Sequence, residues 1–77
     1  MCIRDRDKII KILAGLGKYY KPTDLIGKMV VVVANIKEKK IMGEYSEGML
    51  LAAIDEGGRI SLLTPDREDV KAGTRVG

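Results

Sequence analysis

Six side chains able to grip nucleic acid lie within one short stretch of this 77-residue sequence: Asn35, Lys37, Lys39, Lys40, Ser46 and Met49. Three ammonium groups at this density suit successive phosphates, whose neutralisation supplies sequence-independent and salt-dependent affinity. Lys37 and Lys39 share a face where the chain is extended, because side chains two apart point the same way. Asn35 carries an amide that either hydrogen-bonds a nucleotide or closes a turn. Ser46 offers a donor and an acceptor to a phosphate, a ribose or a base edge. Gly48 allows close backbone approach or a bulge. Met49 presents a flexible, polarisable surface to an unstacked base. Each has a plainer alternative: lysines on a solvated loop, Asn35 and Ser46 as turn residues, Met49 in the core. Glu38 sets a negative charge among the lysines and softens the patch.

Bond-breaking chemistry finds no comparable set. Gly43-Glu44-Tyr45-Ser46-Glu47-Gly48 has a serine between glycines, but the spacing misses a nucleophile elbow by one residue and the chain has no histidine to serve the serine. Gly15-Leu16-Gly17 is an incomplete dinucleotide fingerprint, with Tyr20 at the third glycine position. Without histidine, and with Cys2 as the single cysteine, neither a metal cluster nor an internal disulfide is expected. The adjacent Tyr19 and Tyr20 divide most simply into one core and one surface ring, with base stacking as the alternative.

The elements that must position these groups are mostly strands. Residues 8–15 form a β-branched run ended by glycine. Pro22 to Gly27 makes a short helical turn, proline favouring its start and glycine its end. Residues 29–34 are apolar at consecutive positions, as expected of a strand covered on both faces. A polar connection over 35–47 leads to a strand over 48–54. Asp55-Glu56-Gly57-Gly58 is a hairpin turn before a returning strand over 59–64. The rest is irregular, closing on a turn at 71–74.

Several segments in this order resemble a known family: Ala14-Gly15; Tyr19-Tyr20-Lys21-Pro22 leading to Leu25-Ile26-Gly27-Lys28; the valine run; Asn35 to Met49 with Met42-Gly43 and Ser46-Glu47-Gly48-Met49; and Ser61 to Asp66. They are similar to the tRNA-binding domain appended to bacterial methionyl-tRNA synthetases. That domain also occurs in stand-alone tRNA-binding proteins and in the endothelial-monocyte-activating polypeptide group. The resemblance implies an all-β oligonucleotide-binding (OB) fold, a five-stranded Greek-key barrel, here truncated at its N-terminus and carrying one short helix. Residues 9–77 are then a partial domain, and residues 1–8 an unmatched leader of non-native character. An unclosed barrel exposes strand edges and favours self-association.

The resemblance further implies binding to the outer corner of tRNA with little dependence on base sequence, and homodimerisation. The six residues above fall on the family's binding face. The parent would be a methionine–tRNA ligase using ATP in an upstream catalytic part, and this fragment would need no cofactor and perform no catalysis. A stand-alone or chaperone-like dimeric protein of the same fold is the alternative.

Charge agrees with an RNA partner. The net charge is +3, but residues 1–40 hold ten basic and four acidic side chains, whereas residues 41–77 hold four and seven. A basic face with an acidic rear suits RNA, although scattered surface charge is the simpler account of the composition alone. No apolar run approaches the ~20 residues of a membrane helix, and the start has no signal-peptide core. A cytoplasmic protein without membrane contact is expected.

Overall fold

Side-chain alternation organises the first hairpin of this computed structural model, which describes residues 1–77. Strands β1 (Cys2–Asp5) and β2 (Lys8–Lys11) pair antiparallel with Ile3 opposite Ile10. Ile3 and Ile10 therefore share the inward face, while Cys2, Arg4, Ile9 and Lys11 point outward and are exposed. Cys2–Asp5, which fall within the stretch expected as an unmatched leader, are thus paired with β2. Met1 and Ile12 extend the ladder with two further bonds, at 2.8 and 3.1 Å. The turn is anchored from the far end of the chain, where Arg6 Nε donates to the Gly73 carbonyl at 3.1 Å. Gly73 has φ +88°, and a Cβ there would lie 2.9 Å from the Arg6 backbone nitrogen.

Helix α1 (Pro22–Leu25) starts at proline, and the backbone N–H of Lys21 donates to Asp24 Oδ2 at 2.9 Å. Gly27, at φ +78°, turns the chain out of it. The valine run contributes only a short ladder strand, β3 (Val32–Val33), with its valines half-buried rather than covered on both faces. The polar stretch expected as a connection folds into a second hairpin, β4 (Lys39–Ile41) and β5 (Glu44–Ser46).

β6 (Met49–Leu50) pairs with β3, and β7 (Ala52–Ile54) pairs with β8 (Ile60–Leu62). Leu51 joins the two ladders. Its N–H donates to Val31 O at 3.0 Å and its carbonyl accepts from Leu63 N–H at 3.2 Å. The strand expected over 48–54 is therefore nearly continuous but serves two neighbours in succession. Its hairpin turn forms where expected, with Gly58 at φ +80° and its N–H bonded to Asp55 O at 2.9 Å.

The result is an all-β fold of OB type with one short helix, its strands paired as four two-stranded ladders rather than one closed barrel. The core is small: Ile10, Ile12, Leu16 and Leu62, with Ile12 wholly inaccessible. Tyr20 braces it, its hydroxyl accepting from Leu62 N–H at 2.9 Å.

Candidate nucleic-acid interface

A two-residue turn shapes the lysine-bearing hairpin. Met42 and Gly43 both have positive φ, at 51° and 85°, the combination whose twist matches paired strands. The register sets Lys39 opposite Ser46, Lys40 opposite Tyr45 and Ile41 opposite Glu44. Directly opposed residues share a face. One face thus carries Lys39, Ile41, Glu44 and Ser46, and the other carries Lys40 and Tyr45.

The first face docks on β2. Glu44 Oε1 accepts from Lys11 Nζ at 2.8 Å. The hydrogen bond, and next the opposite charge, lower the Glu44 pKa and raise that of Lys11. Lys11 O accepts from Glu47 N–H at 2.8 Å, and Lys11 N–H donates to Glu47 Oε1 at 2.9 Å.

Ser46 completes the junction and corrects the expectation that it faces a ligand. It is only 3% exposed. Its Oγ accepts from Leu13 N–H at 2.9 Å and donates to Gly48 O at 2.9 Å. The hydroxyl is satisfied internally, stitching two backbone segments where β2 ends. Gly48 is likewise required by packing: a Cβ there would lie 2.8 Å from Val33 O and 3.3 Å from Ile12 Cδ1. The close backbone approach expected at this glycine is to β3.

The other expected residues remain outside. Asn35 follows β3 in a bend and is exposed. Lys37, Lys39 and Lys40 are exposed and belong to neither of the two ion pairs, Lys11–Glu44 and Asp55–Arg59. Met49 is 58% exposed although it sits in β6 opposite Val33, so it is not core. An amide, three ammonium groups and a thioether are thereby offered on β3–β6 and the adjoining hairpin.

Two further residues on the same hairpin lie outside the six expected site residues. Tyr45 is 53% exposed, with Lys40 Nζ 6.0 Å from its ring centroid, and Met42 at the tip is 98% exposed. Recognising Met42-Gly43 as a two-residue turn would have revealed both, since that turn places Tyr45 across from Lys40. Tyr19 and Tyr20 lie elsewhere, bonded to Gly58 O and Leu62 N–H respectively. No group of three or more His, Cys, Asp or Glu side chains is placed to hold a metal ion. No helix is long and apolar enough to cross a membrane.

The geometry has counterparts among known proteins. The family described as "Putative tRNA binding domain" matches residues 2–75. The methionine–tRNA ligase of Thermococcus kodakarensis is 53% identical over 70 residues, covering 91% of this chain and 9% of that protein. The ligase of Caldanaerobacter subterraneus is 43% identical over 76 residues, covering 99% of this chain and 12% of that one. The chain therefore spans about a tenth of the length of these relatives. A crystal structure of a MetRS related protein from Pyrococcus horikoshii superimposes with a TM-score of 0.88 at 33% identity, covering 99% of this chain and 69% of that one.

Proposed function

Because this chain belongs to the tRNA binding domain family and is similar along most of its length to a segment of methionine–tRNA ligases, we propose that it binds folded tRNA as the C-terminal module of such a ligase. The observation that carries this reading is that Lys37, Lys39 and Lys40 are all exposed and outside either ion pair, and that Asn35 and Met49 are exposed as well. These groups engage phosphates and an unstacked base without reading sequence, which suits the outer corner of the tRNA L shape. Ser46 contributes by holding the hairpin to β2.

In this reading the module is non-catalytic. It raises tRNA affinity for a catalytic part elsewhere in the ligase, where ATP is used, and it works in the cytoplasm. Self-association belongs to the same proposal. Exposed Ile26 and Ile54, and an open groove of about 450 Å³ lined by Tyr19, Tyr20, Ile54 and Ile60 among others, supply apolar surface for a second copy. A stand-alone or chaperone-like dimeric role is the second reading, favoured by the likeness to a protein described as related to the synthetase.

The test is a salt titration of tRNA binding. Replacing Lys37, Lys39 and Lys40 together with alanine is expected to flatten the log–log salt slope by up to about three units, roughly one per phosphate contact. An unchanged slope removes these lysines from the interface.

A further inference from the structure

Tyr45 stands apart from the other two tyrosines. The hydroxyls of Tyr19 and Tyr20 are each fixed to the backbone, at 3.2 and 2.9 Å. Tyr45 instead presents a half-exposed ring on the outward face of the β4–β5 hairpin, away from the face docked on β2. Its cross-strand neighbour is Lys40, whose ammonium lies 6.0 Å from the ring centroid. The turn joining them holds Met42, almost fully exposed and in the left-handed region. That conformation is the one the two-residue turn requires, and it sets Tyr45 across from Lys40.

We infer that Tyr45 is a base-stacking platform for tRNA, with Lys40 holding the phosphate adjacent to the stacked base. The inference rests on the tRNA-binding reading and extends it to a residue that reading does not use. An aromatic ring accepts any base through its π-face, so it adds affinity without sequence preference. A cation beside the ring suits the same ligand twice over, through the phosphate and through the ring electrons. Paired strands present both side chains on one face, so ring and cation are in place before tRNA arrives. The alternative is a surface cross-strand pair that touches no ligand.

Three variants of the 77-residue chain test this with unfractionated tRNA. Tyr45→Phe keeps the ring and is expected to bind within about twofold of the parent chain, whereas Tyr45→Leu is expected to bind roughly tenfold more weakly. The salt slope should be the same for both, since no charge changes. Tyr45→Trp adds the one indole in a chain without tryptophan, and its emission is expected to be quenched on saturation with tRNA. If Tyr45→Leu is too unstable to assay, the indole signal decides. Equal binding by the leucine variant together with unmoved indole emission overturns the stacking role while leaving tRNA binding intact. Absence of tRNA binding by the parent chain overturns the functional reading, and this inference with it.

Discussion

The two hairpins that meet at Ser46 have similar backbones and opposite uses. The β1–β2 hairpin turns Ile3 and Ile10 inward, leads directly into Ile12, and is tied by Arg6 to Gly73 near the other end of the chain. The β4–β5 hairpin buries no apolar side chain. It is attached through polar groups, the Ser46 hydroxyl and the Lys11–Glu44 pair, together with the backbone bond from Glu47 to Lys11. If tRNA is bound as proposed, stability and ligand contact fall to different hairpins. Apolar burial is carried by one hairpin, while the other is left exposed and charged because its anchorage needs only hydrogen bonds. Substitutions in the first should unfold the protein, and substitutions on the outward surface of the second should weaken tRNA binding at unchanged stability.

Ile12→Ala should have the largest effect. Ile12 is fully buried, so truncation is expected to remove about 2–5 kcal/mol of stability. A urea melt measures this, and a loss confined to tRNA affinity would break the distinction between the hairpins. Ser46→Ala comes next. It leaves Leu13 N–H without its acceptor and Gly48 O without its donor. About 1–3 kcal/mol of stability should be lost, the scale of an unmet buried group, with affinity per folded molecule little changed. Weakened binding at an unchanged Tm would return Ser46 to the interface.

Met49→Ala should do the reverse. An exposed side chain of this kind is expected to change stability by no more than about 0.5 kcal/mol, while tRNA affinity falls. Paired melting and binding measurements on the two variants separate the roles directly. A Met49→Ala protein that melts early and binds normally would place this methionine with the core.

The smallest effect should come from pH. The Glu44 pKa is lowered by the Lys11 hydrogen bond and charge, and that of Asp55 by the backbone and side-chain bonds from Arg59. Their contributions are present above the ordinary carboxylate range of about 4 and disappear as pH falls through the lowered values. Lys11 is shifted upward, so its contribution is present below its ordinary value of about 10.4 and lost as pH rises through the raised one. All three groups are solvent-screened, and the pH dependence should be slight. Glu44→Gln should reduce the acid-side loss of Tm between about pH 5 and pH 2; an identical acid limb in the variant would show that the pair does not tie the hairpins together.

Local chemistry was legible in the residues themselves. Proline at Pro22 with Gly27 predicts the short helix, and Gly57-Gly58 predicts the turn between β7 and β8. The β4–β5 hairpin was harder to see. Lys39-Lys40-Ile41 and Glu44-Tyr45-Ser46 lack a strong strand signature, and Met-Gly is not the usual Asn-Gly or Asp-Gly signal of a two-residue turn. β1 was hidden for a similar reason: Cys2 to Asp5 becomes a strand by pairing with β2, which puts Ile3 beside Ile10. The valine run shows the converse. Its strand character is evident, but consecutive apolar residues do not reveal that only Val32 and Val33 find a ladder partner.

The sequence by itself determined the all-β class, the family likeness and the set of polar and basic residues from which an interface could be drawn. It did so because these depend on composition, order and short-range turn chemistry. Tertiary structure alone decided that Ser46 is a buried stitch and that Met49, three residues later, is open. Ser46 is bonded to Leu13, which stands 33 residues away, and such a partner is set by which segments pack together. Side-chain alternation then sends neighbouring residues to opposite faces, so membership of a motif does not settle contact with a ligand.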